Sequence, residues 1–485
     1  MKKQVLFGIA LLCSVFLSNV MASSPSVDPA TYSQRGTQVK YSLTNQWLYS
    51  NALDNYKVAA DLLGPAGTVR GMAAKGGKMY FIDRGNKQLI VVNGTTGAKE
   101  SPIVLASNVF TYQGRNKANT ADSTYVAGTL PFNDIKLDNA GNVLLGNCIT
   151  SSAGRFQIWK VNLTTGAGTI VIDQANLATL FPLASLIRFD AFGVWGDVTK
   201  NAIIMAARAC DANAEGPMEV YKWTITNGVA GTPVLIELDN MTAGTYLTGV
   251  LNLGTAPQVL PLDENLFYVD GNTTFPTLMN NTGNVIDGFH NNPLALKDSV
   301  TTSGSKLTMN QGHNGVAEFQ LGNDYFMVMA ASNAVGVPAS TFRLFKFADA
   351  SKAFSGLECL WTFPKAGMGA ASNTYRTGMP CVEVINNVAN IYVYTGDNGY
   401  GMYKVTASTT GVNDILNNNV VKVSVSGKTL LLSELVASVE VYNVTGQLIV
   451  KAKNVTSIDV VGTGIYLVKA TTLAGETAIQ KVIVR

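Results

Sequence analysis

The sequence predicts an all-β protein, in which an array of repeated antiparallel sheets is followed by a small β-sandwich. Short apolar runs separated by Gly and Asn turn residues recur along most of the 485 residues, which is typical of antiparallel strands. The composition is 47% hydrophobic and 14% charged with 46 glycines, so it is turn-rich and apolar, unlike a disordered chain. The length also exceeds one ordinary core, which indicates two or three domains, or one repeat array with a smaller domain.

The clearest copy of the repeat spans Phe132–Ile172. Three apolar runs, Ile135–Leu137, Val143–Leu145 and Phe156–Val161, are separated by turn residues, and a fourth, Thr169–Ile172, follows a Thr-Thr-Gly turn. Four such runs predict one four-stranded antiparallel sheet. Because a single sheet of this size cannot bury both faces alone, the copies must stack on one another.

The repeat recurs at a regular interval. The second strands of the predicted units align at intervals of 58 to 66 residues, at Met79, Val143, Ile203, Phe267, Tyr325 and Ile391. This period in four-strand units predicts a β-propeller with six blades, with seven blades as the alternative count. Long connections between strands are expected, because each unit is longer than the commonest propeller repeats.

The two ends of the array indicate how it closes. The sixth unit has no apolar fourth strand before the polar stretch Thr406–Gly411, whereas Tyr41–Ser50 is a strand without a partner at the front. Its Trp47 resembles Trp361 in the fourth strand of the fifth unit. We therefore expect the N-terminal strand to complete the last blade and cover its open edge.

Residues 1–22 have every part of a secretory signal peptide. Lys2 and Lys3 precede an apolar core, Val5–Leu17, which is followed by the small-residue site Val20-Met21-Ala22. The apolar run is shorter than the ~20 residues that span a bilayer, so no transmembrane segment is expected after cleavage. The formal net charge of +3 owes two charges to these lysines, so a nucleic-acid partner is not expected.

Residues 23–405 form the predicted propeller domain. Three features in it resemble an uncharacterised family of secreted propeller-like proteins from the Bacteroidetes: the strand Trp47-Leu48-Tyr49-Ser50, the run Arg70-Gly71-Met72-Ala73 and the hairpin Gly77-Lys78-Met79-Tyr80. The resemblance covers about residues 41–405. It implies a fold and a secreted location, and the family brings no known chemistry.

The C-terminal part begins after a small, polar linker at residues 406–418. Residues 419–485 contain seven short apolar runs, which predict a seven-stranded, Ig-like β-sandwich. Val441–Ile449, Gly462–Ala470 and Lys481–Arg485 resemble the type A sorting domain of the type IX secretion system. That resemblance implies secretion machinery as a partner and a secreted or outer-membrane surface location. The Pro-Asn-Pro turn common in such domains is absent, and no proline follows Pro380.

The residues that precede or begin each first strand supply the candidate ligand site. In a propeller these strands line the axial channel, and repeats bring equivalent positions together around it. The residues at this position are Arg70, Asp134, Arg188, Asp190, His313 and Arg376. We expect them to converge on an acidic sugar or carboxylate through bidentate contacts. The alternative is a solvated plug in which Arg and Asp pair only with each other.

Cysteines and metal ligands give weaker signals. Cys148 and Cys210 each follow the second strand of neighbouring units, so a disulfide between them is one interpretation and isolated buried thiols are the other. The loop Asp211–Gly216 resembles the front half of a calcium loop, but Lys222 stands where the required glutamate belongs. No cofactor or metal site is therefore assigned, and calcium remains an alternative to a solvated loop.

Three functions are compatible with these features. A binding module for a glycan or peptide is favoured; the alternatives are a polysaccharide hydrolase or lyase using Asp134 and Asp190, and a structural surface protein. Neighbouring arginines would keep both carboxylates ionised, which disfavours the acid role, so no catalytic residue is assigned. Aromatic side chains exposed around the loops would favour glycan contact, because they stack on sugar faces; the candidates are Tyr112, Tyr125, Phe275, Tyr375 and Tyr400.

Overall fold

The computed structural model describes most of the chain from residue 41 onward. The described residues are 41–50, 67–110, 129–151, 153–175, 177–180, 188–209, 218–239, 253–254, 256–271, 274–292, 301–303, 306–308, 315–331, 340–368, 378–407, 421–473 and 477–484. Their only helical segments are Leu177–Leu180 and the 3-10 turns Phe289–Asn291 and Phe354–Gly356. The predicted all-β class is confirmed.

The strands of the first three sheets follow the chain in order. They are β1 (Tyr41–Ser50); β2 (Val69–Lys75), β3 (Lys78–Asp83), β4 (Gln88–Asn93) and β5 (Lys99–Val104), which form sheet 1; β6 (Thr129–Leu137), β7 (Val143–Ile149), β8 (Phe156–Val161) and β9 (Gly168–Gln174), which form sheet 2; and β10 (Gly193–Gly196), β11 (Ala202–Ala207), β12 (Glu219–Thr226), β13 (Val229–Ala230) and β14 (Val234–Glu237), which form sheet 3. Both β13 and β14 pair with β12, so they share the position of the fourth strand.

Three more sheets and a short hairpin follow. They are β15 (Gln258–Pro261), β16 (Leu266–Asp270), β17 (Thr277–Asn280) and β18 (Val285–Gly288), which form sheet 4; the hairpin β19 (Thr301–Ser303) and β20 (Lys306–Thr308); β21 (Val316–Leu321), β22 (Asp324–Ala331), β23 (Thr341–Lys346) and β24 (Glu358–Phe363), which form sheet 5; and β25 (Gly378–Ile385), β26 (Val388–Thr395) and β27 (Gly399–Ala407), which join β1 in sheet 6.

The predicted repeat is confirmed at the level of single strands. Met79, Val143, Ile203, Phe267, Tyr325 and Ile391 all lie in the second strand of their sheet. Sheets 1, 2, 4 and 5 are antiparallel meanders whose strands pair in chain order, whereas β14 in sheet 3 and β1 in sheet 6 depart from that order. The sheets are therefore propeller-like, and the sequence period corresponds to one sheet per repeat.

The N-terminal strand occupies the place that the sequence predicts. The order of sheet 6 is β1-β27-β26-β25, so β1 is its fourth strand. Trp47 is buried and its indole Nε1 donates to the Gly94 carbonyl of sheet 1 over 2.9 Å. A strand from the start of the chain thus completes a sheet made from the end of the repeat array.

Apolar side chains fill the space between successive sheets. Alternate residues of a strand point to opposite faces, so Leu144 packs toward sheet 3 and Leu145 toward sheet 1. The other layers contain Met205 with Phe267 between sheets 3 and 4, Tyr268 with Met327 between sheets 4 and 5, and Phe81 with Tyr394 between sheets 1 and 6. Sheets 5 and 6 meet at Phe363 and Tyr403, whose ring centroids are 4.6 Å apart. Each sheet thus packs on the next, and the sixth packs on the first.

A recurrent glycine turn fixes the spacing of neighbouring sheets. Gly166 and Gly283 have positive φ values of 69° and 85°, which glycine adopts without steric cost. A Cβ at either position would lie within 2 Å of a backbone carbonyl in the preceding sheet, that of Val104 or Glu237. A Cβ at Gly97 would lie 2.9 Å from the Trp47 ring. Since Trp47 belongs to β1, this contact is consistent with β1 as the fourth strand of the sheet before sheet 1.

The described chain divides into two compact units. One contains Asn45–Glu383 and Asn390–Tyr403; the other contains Lys404–Arg485 with residues 41–44 and Val384–Ala389. The C-terminal strands are β28 (Val423–Ser426), β29 (Thr429–Asn443), β30 (Leu448–Asp459), β31 (Gly464–Thr472) and β32 (Thr477–Val484). They form one antiparallel sheet in the order β28-β29-β31-β32, with β30 also paired to β29.

The predicted seven-stranded Ig-like sandwich is therefore wrong in its strand count. Two pairs of predicted strands are continuous: β29 spans the predicted strands at 429–432 and 436–442, and β30 spans most of those at 447–450 and 457–461. The ladder between β29 and β30 shifts register between Leu431 and Val436 without ending either strand, as a β-bulge does. The bent sheet buries one apolar core, which includes Leu430, Val439 and Val468.

Candidate functional site

The first strands of all six sheets line one cavity of about 570 Å³, which we call the central cavity. Its walls come from β2, β6, β10, β15, β21 and β25. Toward the beginnings of these strands the Met72 backbone N–H donates to the Met379 sulfur over 3.1 Å. Near their ends the Lys75 ammonium donates to the Gly141 carbonyl. We call the end where the strands begin the entrance end and the other the exit end. The volume is within the usual range for ligand sites.

The entrance end contains a small pocket of about 10 Å³ with polar walls, which is room for about one water molecule. It is lined by residues of sheets 1, 2, 4 and 6 and of the segments before β10 and β15, which are Arg70, Asn133, Asp190, Ala191, Ala256, Gln258 and Met379. Two predicted site residues, Arg70 and Asp190, thus line the same pocket although 120 residues separate them in the chain. The Arg70 Nε donates to the Gly67 carbonyl over 3.0 Å, which directs the guanidinium along the start of its own strand.

Asp190 is the acidic centre of this end. Arg188 contacts it with two nitrogens, Nε to Oδ2 at 2.9 Å and Nη2 to Oδ1 at 2.7 Å. The Cys148 Sγ lies 3.6 Å from the same Oδ1, and the Asn133 amide donates to the Asp190 carbonyl. Arg188 thus binds a carboxylate of this chain in the bidentate geometry that is typical of guanidinium–carboxylate pairs.

Three guanidinium groups influence the pKa of the Cys148 thiol at the entrance end. Burial raises the pKa of the Cys148 thiol and Asp190 raises it further, whereas Arg188, Arg84 and Arg70 oppose that rise. Arg84 also donates to the Asn133 side chain and to the Pro131 carbonyl. Arg70, Arg84 and Arg188 with Asp190 are called the entrance cluster below.

Arg84 and Cys148 were not among the predicted ligand residues, although the sequence held a signal for them. The second strand of each sheet runs antiparallel to the first, so its last residues return to the level where the first strand begins. Arg84 follows β3, and Cys148 lies at the end of β7. Searching the ends of second strands as well as the starts of first strands would have found both.

Asp134 lies outside the entrance pocket and has a different environment. It is 1% exposed, and its Oδ1 accepts hydrogen bonds from the Ile135 amide and the Lys136 ammonium. Its Oδ2 accepts the Phe192 amide over 3.1 Å. Burial raises its pKa, against the lowering effects of Lys136 and the two amides. These contacts give the carboxylate a structural role in joining sheet 2 to sheet 3.

The same contact recurs at other sheet boundaries. In each case a carboxylate of one sheet, or of the segment leading into it, accepts the backbone N–H that opens the next sheet. The pairs are Asp134 with Phe192, Asp190 with Ala256, Asp270 with Gly315, and Asp397 with Gly67. Asp134 and Asp190 both belong to this set. Their hydrogen bonds fit a structural connection between neighbouring sheets better than the roles of a general acid and a general base in catalysis.

Several predicted residues fall outside the described parts of the chain. These are His313, Arg376, Cys210, the loop Asp211–Gly216, and the aromatics Tyr112, Tyr125 and Tyr375. The Cys148–Cys210 disulfide and the calcium loop therefore remain predictions. Within the described ranges, no three His, Cys, Asp or Glu side chains approach closely enough to hold a metal ion.

Two aromatic side chains expected at the surface are buried instead. Phe275 is 8% exposed and lies 5.4 Å from Phe289 between ring centroids. Tyr400 is fully buried and stacks on Tyr49 at 5.2 Å. Both lie in the layers between sheets, so the expectation that they contact a sugar is wrong.

The exit end carries aromatic and charged side chains that the sequence did not single out. Trp195 and Phe319 are partly exposed and line the central cavity there, as do Glu318, Tyr325 and Lys352. The Glu318 carboxylate lies 2.6 Å from the Lys352 ammonium and accepts the Tyr268 hydroxyl over 2.6 Å. Lys352 comes from the turn between β23 and β24, which the repeat pattern alone does not direct toward the cavity.

Comparisons with known proteins identify one matching domain and a similar fold. Residues 127–333 match a domain of unknown function, DUF8500. The structure resembles a DUF4623 family protein from Bacteroides eggerthii DSM 20697 with a TM-score of 0.51 and 12% identity, covering 78% of each chain. At that identity the likeness concerns the fold alone. The RRP9 WD40 repeats are also similar, with a TM-score of 0.39 and 8% identity over 72% of this chain and 96% of theirs.

Two further comparisons complete the description. A search of curated proteins found no match. In the part of the chain that the structure describes, no helix has the length and apolar character to cross a membrane.

Proposed function

We propose that this chain is an exported six-bladed β-propeller that binds an acidic glycan or peptide at the entrance end of its central cavity. The entrance cluster carries the proposal: Arg188 pairs with Asp190, Arg70 lines the same pocket as Asp190, and Arg84 donates to Asn133 of that pocket. Guanidinium groups bind carboxylates bidentately, and a pocket between protein walls strengthens such contacts relative to open surface. The six-blade interpretation is supported by six sheets that pack in succession, the last on the first.

A location outside the cytoplasm is part of the proposal. The signal peptide at residues 1–22 supports export from the cytoplasm, and the C-terminal blocks support type IX secretion, with the protein released or held at the outer-membrane surface. The three blocks occupy β29 with its turn, β31 and β32, which are neighbouring strands of one sheet. They could therefore be recognised together by the secretion machinery.

The test is binding of the mature chain to an array of neutral, carboxylated and sulfated glycans and acidic peptides. We expect acidic ligands to dominate, and Arg70→Gln to weaken them about ten- to hundredfold. This range corresponds to one charge-assisted contact of about 1.5–3 kcal/mol. Glutamine preserves a donor for the Gly67 carbonyl, so the fold should survive the change.

Lys200→Gln is the matched control, because it removes a cation whose side chain is 80% exposed on a turn of sheet 3. It should leave affinity unchanged. If every ligand of the parent binds Arg70→Gln with the same affinity, the entrance cluster has only a structural role and the proposed function is wrong. Cleavage of any array member would favour the hydrolase or lyase instead.

A further inference from the structure

Trp195 differs from every other tryptophan of the chain. Four of the five tryptophans are buried, namely Trp47, Trp159, Trp223 and Trp361. Trp195 is partly exposed and lines the central cavity at its exit end. In the described part of the chain its indole N–H donates no hydrogen bond. Since an indole offers a large apolar face and one donor at its edge, both remain open to a ligand at this end.

Two other aromatic rings at the exit end are held in place. Phe319 stacks on the buried Phe326, with ring centroids 5.0 Å apart and planes 9° apart. The Lys352 ammonium lies 5.6 Å from the centroid of the Tyr325 ring. The Tyr325 hydroxyl makes no hydrogen bond to any described residue. The exit end therefore combines fixed aromatic faces with polar groups that have no partner in the protein.

Asn139 adds an amide beside the end of β10. Its backbone N–H donates to the Gly196 carbonyl over 2.9 Å, and its Oδ1 accepts the Gly196 amide over 2.7 Å. These two bonds fix the side chain next to the residue that follows Trp195. Among the described residues its Nδ2 has no acceptor. Asn139 and Gln320 line the cavity and are exposed, so a ligand can enter from this end.

The charged side chains that line the central cavity are already compensated within the protein. Lys352 lies 2.6 Å from the Glu318 carboxylate, and Lys136 lies 3.0 Å from the buried carboxylate of Asp134. Asp138 is buried and accepts two backbone amides. A charged ligand would displace these contacts or remain unpaired, and an unpaired charge is costly between protein walls. The cavity therefore favours an uncharged ligand.

A ring that is apolar on its faces and hydroxylated at its edge matches this set of groups. Its faces can stack on aromatic rings, and its hydroxyls can meet the indole N–H, the phenol and the amide. We propose that the exit end of the central cavity binds a neutral sugar unit, with the sugar ring on Trp195 and its hydroxyls at Asn139 and Tyr325. This site is separate from the entrance cluster and does not depend on the acidic ligand of the proposed function.

Trp195 itself reports on the site, because it is the one exposed tryptophan. Acrylamide quenching of tryptophan emission is measured on the mature chain with and without glucose, mannose, galactose, xylose and their neutral disaccharides. We expect about one tryptophan in five to be accessible to the quencher, and a bound sugar to protect it. This measurement needs no substitution, so it holds even where a Trp195 variant fails to fold.

Two variants then locate the sugar by calorimetric titration. Trp195→Leu should weaken binding about tenfold or more, as loss of an aromatic anchor does. Tyr325→Phe removes only the hydroxyl and should weaken binding about two- to tenfold, the value of one hydrogen bond. Tyr442→Phe is the matched control, because it removes a hydroxyl of the C-terminal sheet that donates to Glu440. Its affinity for the sugar should equal that of the parent.

Protection of Trp195 by none of these sugars would overturn the inference. Unchanged sugar affinity in both Trp195→Leu and Tyr325→Phe would overturn it as well, since the sugar would then bind elsewhere. Aromatic tripeptides that protect Trp195 where no sugar does would assign the exit end to peptides, with the same consequence. The proposed function is decided separately, by whether Arg70→Gln weakens the acidic ligands.

Discussion

At the scale of single residues, the entrance end separates two kinds of charged group that the sequence presents alike. Arginines and aspartates both recur just before or within the first strands. In the structure Asp134 and Asp190 accept backbone amides from the next sheet, whereas Arg70 donates to the Gly67 carbonyl of its own segment and lines the entrance pocket beside Asp190. A buried amide without a partner costs about 1–3 kcal/mol, so the carboxylates have a structural purpose that ligand binding would disturb.

Asp270 gives a prediction at this scale. It is 1% exposed, its Oδ2 accepts the Gly315 amide over 2.7 Å, and burial raises its pKa to about 8. The folded state therefore retains a proton that the unfolded chain, with an ordinary carboxyl pKa near ~3.9, has already lost. Between about pH 4 and 8 the native state binds more protons, so the contribution of Asp270 to the free energy of unfolding falls as pH rises.

Asp270→Asn should remove that dependence, because an amide can accept the Gly315 N–H without ionising. We expect the Tm of the variant relative to the parent to be clearly higher at pH 8 than at pH 5, as measured by thermal unfolding. Asp349→Asn is the control: this exposed carboxyl has a pKa lowered by hydrogen bonds from Ser351, so it acts only at more acidic pH. An equal Tm difference at both pH values would show that Asp270 is ionised throughout.

At the scale of elements, β1 carries more of the packing than its position in the chain suggests. Its Trp47 contacts Tyr49 and Tyr400, donates to Gly94 and packs against Gly97 of the next sheet. Antiparallel strands expose unpaired backbone groups at a sheet edge, and β1 covers that edge on β27. One strand thus completes sheet 6 and joins it to sheet 1.

Trp47→Ala tests this role. We expect the free energy of unfolding to fall by about 3–5 kcal/mol, the usual loss for a buried tryptophan, as measured by urea denaturation. Val104→Ala, at a position on β5 that is 67% exposed, should change stability by no more than about 0.5 kcal/mol. A Trp47→Ala variant as stable as the control would mean that β1 is dispensable.

At the scale of the whole molecule, the proposed export route gives each end of the chain a role that can be tested. Deleting Gly464–Arg485 removes β31 and β32 and two of the three blocks that resemble the sorting domain. We expect the truncated protein to accumulate in the periplasm, as measured by cell fractionation and surface labelling. Leu435→Ser, in the bulge of β29 with a 44% exposed side chain, should be exported like the parent. Truncated protein at the surface or in the medium would contradict the type IX route.

The sequence by itself determined the class, the period and the place of β1. These features depend on local patterns: apolar alternation, Gly and Asn turns, and a strand count that left one unit incomplete. The repeat pattern also predicted that Arg70, Arg188 and Asp190 lie at the same end of the first strands, because equivalent positions of a repeat lie at the same height in successive sheets. In the C-terminal part the same patterns overcounted strands, since a bulge and a turn use similar residues.

Only the tertiary structure decided what each side chain contacts. Whether Asp134 meets a ligand or the Phe192 amide depends on where the next sheet places its backbone, 58 residues further along. Phe275 and Tyr400 are buried because neighbouring sheets close over them, and Lys352 reaches Glu318 from a turn of its own sheet. Such contacts are set by packing between elements distant in the chain, which strand periodicity does not encode.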